Sequence, residues 1–233
     1  MTPIQPTFVA VPRRRLLAIV LAGGASRRLG LDKPEQRIGG RRLLDIALDS
    51  VASADAIVVV GPRRAVPDEV TVVCEEPPGS GPVAALAAGF AALPQGPADV
   101  VVLPADLPHI TPSVVTALAA ARGDAPVAAA VDKHGRVQYL TAVWDSAALA
   151  SALAGAPGRV RDLLPGDVVV AAVGDIADVD TSAQLTAARQ RHCEHGMPID
   201  WPQSGGAAEK AALADGALAV SPYDNPQTGE THD

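Results

Sequence analysis

The sequence predicts a three-layer α/β fold, in which a mostly parallel sheet lies between two layers of helices. Short apolar runs rich in Val, Ile and Ala alternate with Ala-rich amphipathic stretches, an order typical of βαβ units. The apolar runs lack strict polar–apolar alternation, as expected for strands covered on both faces. A chain of 233 residues is long enough to bury such a core without a metal or disulfide staple.

Strands are predicted at seven apolar runs, namely 16–22, 56–60, 70–74, 98–103, 126–131, 137–143 and 167–173. Helices are predicted at five stretches between or after them, namely 42–53, 81–93, 111–122, 145–155 and 181–191. The residues KHGR at 133–136 are too few for a crossover helix. We therefore expect the strands on either side to form a hairpin, which places an antiparallel strand in the sheet.

Composition divides the chain into an N-terminal extension at 1–14, a domain at 15–192 and a tail at 193–233. From residue 194 onward the tail holds seven acidic residues and one lysine, and we expect it to be largely disordered. Residues 1–64 hold eleven of the nineteen Lys and Arg against five acidic residues, although the whole chain carries −7. This local excess of positive charge suits an anionic small molecule.

Several classes of protein are disfavoured by composition. Aromatic residues make up only 3% of the chain, which disfavours a nucleic-acid-binding protein. No apolar run is long enough to span a membrane, and the N-terminus has no pattern of a secretion signal. Cys74 and Cys193 are far apart, so neither a disulfide framework nor a thiolate zinc site is expected. We expect a cytoplasmic protein, and we interpret RHCEH at 191–195 as a solvated helix face rather than a metal cluster.

A basic, glycine-rich stretch, LAGGASRRLGLDKP at 21–34, follows the first predicted strand. Ligands of open α/β sheets bind at the carboxyl ends of strands. Gly23 and Gly24 let the backbone approach an oxyanion, and Arg28 and Lys33 add positive charge. The stretch is not a P-loop, because no Ser or Thr follows the lysine. The pattern favours phosphate binding over the alternative, a turn with solvated charge.

Three further stretches follow predicted strands. EEPPGSGPVAAL at 75–86 is a rigid turn at the start of a helix, and either plain turn chemistry or base recognition explains it. Asp106 ends an apolar strand and suits Mg²⁺, the alternative being a helix-capping or turn aspartate. In DVDTSAQL at 178–185, Asp178 and Asp180 face the same way if the segment is extended. One of them completes a metal site, or both only cap a helix.

Together these stretches resemble the nucleotidyltransferase family typified by molybdenum cofactor guanylyltransferase. The opening signature of that family is matched at the same spacing, with Leu29 in place of its methionine, by Leu21, Ala22, Gly23, Gly24, Ser26, Arg28, Gly30, Asp32 and Lys33. The stretches GSGPVAAL, LPADLP, YLTAVW and DVDTSAQL extend the resemblance over roughly residues 15 to 190. The family has a Rossmann-like nucleotidyltransferase fold, in agreement with the fold class predicted above.

The resemblance also implies roles for single residues. The implied nucleotide-binding residues are Leu21, Ala22, Gly23, Gly24, Lys33, Glu75, Glu76 and Asp106. Lys33 and Arg28 would offset charge on the phosphates, and Asp106 would hold Mg²⁺ with Asp180 as a second metal candidate. Either Glu75 or Glu76 would meet the base or ribose.

The activity implied by the resemblance is transfer of GMP from GTP to the terminal phosphate of molybdopterin, with release of pyrophosphate. Ala85 stands where many guanylyltransferases have glycine, so cytidylyl transfer, or transfer to a sugar phosphate, is an alternative. A non-catalytic module that delivers the molybdenum cofactor to a molybdoenzyme or chaperone, through the acidic tail, is another. Arg159 and Arg161 are either anion contacts for the pterin or surface residues of a helix.

Overall fold

The computed structural model describes residues 14–23, 32–155, 158–174, 176, 178–179, 181–194 and 217–219. Ten strands lie within these residues. Their bounds are Arg15–Leu21 (β1), Arg37–Ile38 (β2), Arg41–Arg42 (β3), Ala56–Val60 (β4), Val70–Val73 (β5), Ala98–Pro104 (β6), Val127–Val131 (β7), Val137–Asp145 (β8), Val169–Ala172 (β9) and Ala217–Ala219 (β10). Seven of them confirm the predicted strands, with ends that differ by two residues at most.

Five α-helices confirm the predicted helices. Their bounds are Leu43–Ser50 (α1), Pro82–Ala92 (α2), Pro112–Arg122 (α3), Ser146–Ala154 (α4) and Ser182–Glu194 (α5). Thr111 begins α3 by accepting a hydrogen bond from Val114 N–H, and Asp145 begins α4 by accepting from Ala147 and Ala148 N–H. Such side-chain acceptors satisfy backbone donors that the first helical turn leaves unpaired. Among the described residues, no helix is both long and apolar enough to cross a bilayer.

The main sheet has the strand order β10-β9-β7-β8-β6-β1-β4-β5. Strands β5, β4, β1 and β6 are parallel neighbours, so their carboxyl ends share one edge. Strand β8 is antiparallel to both β6 and β7, and the predicted hairpin is confirmed by the direct pairing of β7 with β8. The mostly parallel sheet with one reversed internal strand is the predicted architecture.

Two apolar cores cover the two faces of the sheet. Alternate residues of β1 divide between them: Ala18 and Val20 pack on one side, Leu17 and Ile19 on the other. The first core packs against α1 and α3, and the second against α2 and α4. Gly89 allows α2 to approach the sheet closely, because a Cβ at this position would lie 2.7 Å from side-chain atoms of Ile19 and Val60. The predicted three layers are therefore present.

Several small elements were not predicted. A 3₁₀ turn at Lys33–Glu35 precedes the two-residue strands β2 and β3, which pair with each other. Helix α5 packs on this unit through a third apolar cluster that includes Ile38 and Leu185. A second 3₁₀ turn spans Val160–Leu163. In the tail, Ala217–Ala219 forms an antiparallel edge strand on β9.

Candidate functional site

A cleft of about 500 Å³ opens at the edge where the parallel strands end. It is lined by residues from five chain segments, namely Leu21, Gly23, Lys33, Pro34, Glu75, Gly79, Gly81, Pro82, Ala85, Pro104, Ala105, Asp106 and Leu140. Ligand-binding residues were predicted from the sequence after β1, β5 and β6, and the structure brings these three segments together in the cleft. Leu140 was not predicted, and it comes from the reversed strand β8.

The end of β1 supplies the backbone at one side of the cleft. Hydrogen bonds continue beyond the strand, from Ala22 N–H to the Val60 carbonyl (2.8 Å) and from Ala105 N–H to the Leu21 carbonyl (2.9 Å). Leu21 and Gly23 line the cleft. Ala22 is buried, and the structure does not place it among the described residues that line the cleft.

Gly61, just after β4, packs against this backbone. Its φ is +150°, and a Cβ there would lie 2.8 Å from both the Ala22 carbonyl carbon and the Gly23 nitrogen. A Cβ on Gly23, in contrast, would meet Gly61 Cα at 3.6 Å, which is an ordinary contact. The protein's own packing therefore requires glycine at 61 but not at 23.

Lys33 reaches the cleft from the 3₁₀ turn Lys33–Glu35, which the buried Pro34 anchors. Its Nζ atom lies 3.3 Å from Oδ2 of Asp106, and the two side chains are 17% and 21% exposed. Partial burial strengthens the field of the ammonium group relative to a fully solvated lysine. This cation is thus positioned to offset negative charge on a ligand in the cleft.

Asp106 lies just beyond β6, as predicted, and its side chain lines the cleft. Its backbone carbonyl accepts a hydrogen bond from Val179 N–H (3.1 Å), so the segment after β9 reaches the same place. The described residues hold no cluster of three or more potential metal ligands. A single carboxylate beside an open cleft of this size still fits Mg²⁺, which keeps waters and substrate phosphates in most of its coordination positions.

The turn between β5 and α2 forms the opposite wall. Glu75 is only 6% exposed, and its Oε1 accepts a hydrogen bond from Gly79 N–H at 2.9 Å. Gly79 and Gly81 have φ of +81° and +101°, conformations that other residues rarely adopt. Helix α2 then begins at Pro82 beside the cleft, where the helix dipole favours negative charge.

The two glutamates of this turn have different surroundings. Glu75 is buried and lines the cleft, whereas Glu76 is exposed and is not among the described cleft residues. The sequence left both as candidates for base or ribose contact, because adjacent residues cannot be told apart by spacing. The geometry favours Glu75.

Sequence reasoning missed Arg64, which follows β4. Its side chain is 6% exposed and forms ion pairs with Asp32 and, at 3.4 Å, with Glu35. Its Nη2 donates to the Ala22 carbonyl at 3.0 Å. Burial opposes the charged form, but the bonds and charges of Asp32 and Glu35 outweigh it and raise the pKa of Arg64 above its usual value. The sequence offered one clue to Arg64, namely that it follows a predicted strand.

The remaining predicted residues are not among the described residues of the cleft. Gly24, Arg28 and Asp180 lie outside the described residues. Asp178 is exposed. Arg159 and Arg161 flank the start of the second 3₁₀ turn as exposed residues, with Arg161 Nε 3.5 Å from Asp162 Oδ1, which favours the interpretation as surface residues.

A family model described as MobA-like NTP transferase domain matches residues 18–172. A probable molybdenum cofactor guanylyltransferase of Chloroflexus aggregans is 36% identical over 140 residues, covering 57% of this chain and 66% of that protein. The chain thus spans about two thirds of that relative's length. A Mycobacterium bovis protein of the same description is 33% identical over 190 residues, covering 75% of this chain and 94% of that protein.

Solved structures share the fold. Molybdopterin-guanine dinucleotide biosynthesis protein A from Archaeoglobus fulgidus superimposes with a TM-score of 0.59 at 21% identity, covering 76% of this chain and 99% of that one. A Mycobacterium tuberculosis protein solved in complex with manganese superimposes with a TM-score of 0.58 at 16% identity, covering 76% and 98%.

Proposed function

The chain belongs to the family of MobA-like NTP transferase domains, and we propose on that premise that it transfers GMP from GTP to the terminal phosphate of molybdopterin. The observation that carries the proposal is the pairing of Lys33 with Asp106 in a cleft at the carboxyl ends of the parallel strands. Relatives described as molybdenum cofactor guanylyltransferases support the choice of nucleotide and acceptor.

The reaction exchanges one phosphoanhydride bond for another. An oxygen of the acceptor phosphate attacks the α-phosphorus of GTP, the bond to the bridging oxygen of the β-phosphate breaks, and pyrophosphate leaves with the electron pair. Such reactions depend on positioning and charge stabilisation rather than on a side-chain nucleophile. Lys33 is the cation that the described cleft offers for this purpose, and Gly24 and Arg28 are proposed to join it by the sequence resemblance.

We assign the proposed metal site to Asp106. Its carboxylate fits the preference of Mg²⁺ for one or two protein carboxylates together with phosphates, and the segment that bears Asp180 is proposed to supply a second oxygen. When bound, the divalent ion supplies charge neutralisation on the phosphate oxygens. A structure of similar fold solved with manganese supports a divalent cation. Asp106 and Lys33 together then bind the metal-bound triphosphate.

Glu75 is proposed to select the base. A carboxylate accepts hydrogen bonds only, and guanine presents N1–H and the N2 amino group as adjacent donors. Cytosine offers a ring nitrogen acceptor beside its amino group, so it matches a carboxylate less well. A buried polar group left unpaired by the wrong base is costly, which makes Glu75 a source of discrimination.

The test is a turnover panel with purified full-length chain, Mg²⁺, molybdopterin and each nucleoside triphosphate in turn. Release of pyrophosphate and formation of the pterin dinucleotide are expected with GTP. Turnover with CTP and none with GTP would replace the guanylyl assignment by a cytidylyl one. Cofactor binding without turnover of any nucleotide would favour the delivery module, which the partly buried Lys33–Asp106 pair argues against.

A further inference from the structure

Arg64 joins two segments that are far apart in the chain. On one side, its Nη1 pairs with Asp32 and Glu35. On the other, its Nη2 donates to the carbonyl of Ala22, at the end of β1. Asp32 and Glu35 stand on either side of Lys33 and Pro34 in sequence, so the guanidinium binds both ends of the turn that carries Lys33.

A second arginine, Arg42, links the loop after β4 to the Lys33 turn. Arg42 pairs with the same Glu35 at 3.3 Å and donates to the carbonyl of Ala65, the residue after Arg64. The loop after β4 is thereby connected to the Lys33 turn directly through Arg64 and indirectly through Arg42, which bonds to both Ala65 and Glu35. The guanidinium of Arg64 is buried and has three oxygen partners, so it is held more rigidly than an arginine in an exposed ion pair.

We propose that Arg64 is a positioning residue for guanylyl transfer, which holds the Lys33 turn in register with the end of β1 so that Lys33 and the Gly23 backbone meet one triphosphate. This inference rests on the proposed function for the identity of the reaction. The contact with the substrate is made by Lys33. Arg64 acts through it.

A direct phosphate contact by Arg64 is the competing explanation, and the geometry disfavours it. Arg64 is not among the described residues that line the cleft. Both of its terminal nitrogens already bond to protein oxygens, and two of those oxygens belong to carboxylates. Release of these partners would leave Asp32 and Glu35 without their shared cation.

The test is a double-mutant cycle of Arg64→Ala and Lys33→Ala. In the wild-type background we expect Arg64→Ala to lower kcat for GTP by about tenfold or more, since small misplacements of a charge-stabilising group are costly. In the Lys33→Ala background the same change is expected to have no further effect. An equal loss in both backgrounds would overturn the proposal, because Arg64 would then act independently of Lys33.

A second readout does not depend on transfer activity. The affinity for inorganic triphosphate with Mg²⁺, measured by calorimetry, should fall with Arg64→Ala only when Lys33 is present. Arg64→Lys keeps the charge but lacks the planar guanidinium group. It should therefore recover part of kcat for GTP and part of the triphosphate affinity. Equal triphosphate affinity in the wild type and Arg64→Ala would count against the proposal.

Arg41→Ala is the matched control. Arg41 lies in the same part of the chain and pairs with Asp49, but both side chains are about half exposed. Arg41→Ala should change neither kcat for GTP nor the affinity for inorganic triphosphate. If Arg64→Ala does not fold, as thermal unfolding would reveal, the cycle is run with Arg64→Lys. A wild type that binds triphosphate but transfers no GMP would reject the proposed function, and the binding cycle would still decide the role of Arg64.

Discussion

Lys33 Nζ and Asp106 Oδ2 lie 3.3 Å apart although 73 residues separate them in the chain. The pair joins the 3₁₀ turn after β1 to the carboxyl end of β6, next to the backbone of Gly23. One cation and one carboxylate therefore face the same ligand space, an arrangement that suits a metal-bound triphosphate.

Lys33→Ala should lower kcat/KM for GTP by at least roughly tenfold, because loss of a charge that stabilises a transition state has effects of this size or larger. Lys33→Arg keeps the charge in a different shape and should give intermediate turnover. The free energy of unfolding should change by no more than about 1 kcal/mol, as expected for a partly exposed pair. Pyrophosphate release and thermal unfolding measure the two effects, and unchanged turnover would remove Lys33 from the mechanism.

Asp106→Asn should weaken the response to Mg²⁺. The amide preserves size but loses the charge that attracts a divalent cation, so we expect turnover to fall by roughly a hundredfold and half-saturation to require more Mg²⁺. Asp68→Asn, at an exposed position before β5, is the control and should match the wild type. The same Mg²⁺ half-saturation in Asp106→Asn and wild type would contradict the metal assignment.

Gly23→Ala and Gly61→Ala should differ sharply. At Gly61 an added Cβ clashes with the Ala22–Gly23 backbone at 2.8 Å, and we expect a loss of roughly 1–3 kcal/mol in the free energy of unfolding. At Gly23 the Cβ makes only an ordinary contact at 3.6 Å, so stability should be kept. Turnover of GTP should nevertheless fall, because Gly23 lines the cleft and the methyl group adds bulk to the backbone that we propose meets the triphosphate. Equal melting temperatures for the two variants would show that the backbone at Gly61 adapts.

Glu75→Gln should reduce the preference for GTP over CTP. The amide oxygen can still accept from Gly79 N–H, so the turn is retained, but the amide nitrogen is a donor that opposes the donors of guanine. A change of about tenfold to a hundredfold in the ratio of kcat/KM values is expected for one misplaced donor. Glu76→Gln is the matched control at the neighbouring exposed position. An unchanged ratio in Glu75→Gln would assign Glu75 to the turn alone.

Asp145 should contribute a pH-dependent part of the stability. Burial would raise its pKa, but hydrogen bonds from Arg14 and from Ala148 and Ala147 N–H outweigh it and hold the pKa below its ordinary value of 3.8. A carboxyl group with a lowered pKa in the folded state stabilises above its unfolded pKa, and this contribution is lost as pH falls through the folded value.

Asp145→Asn keeps a helix-capping side chain but loses the charge. It should lower the free energy of unfolding by about 1 kcal/mol at pH 7, with the difference from wild type shrinking below pH ~4. Urea unfolding at several pH values measures this. Asp167→Asn, at an exposed position, serves as control. A constant difference from pH 7 to pH 2 would show that the charge of Asp145 is not responsible.

The strands, the helices and the β7–β8 hairpin could be predicted because each leaves a local pattern of apolar periodicity and turn residues. The positions of Gly23, Lys33, Glu75 and Asp106 in one cleft also followed, because parallel strands bring their carboxyl ends to one edge. The two-residue strands β2 and β3 are too short to show a period, so they were missed.

Arg64 was missed for a different reason. The residues GPRR after β4 have the composition of a solvated loop, and nothing local distinguishes Arg64 from its exposed neighbour Arg63. Its burial depends on the turn at Lys33–Glu35 folding back over the end of β1, which is a tertiary relationship. The different burial of Glu75 and Glu76 was likewise not predictable, because it depends on the direction that each side chain takes after the strand.

The described residues that line the cleft come from two parts of the chain, and strand β8 carries the contribution of the second part. Every described lining residue from Leu21 to Asp106 comes from the first half of the chain, and Leu140 on β8 is the contribution of the second half. Divergence in the β7–β8 hairpin would therefore reshape the side of the cleft at Leu140 and leave the described lining residues of the first half of the chain as inherited. In evolutionary terms, this topology separates the residues proposed to hold the nucleotide from a hairpin that can diverge independently of them.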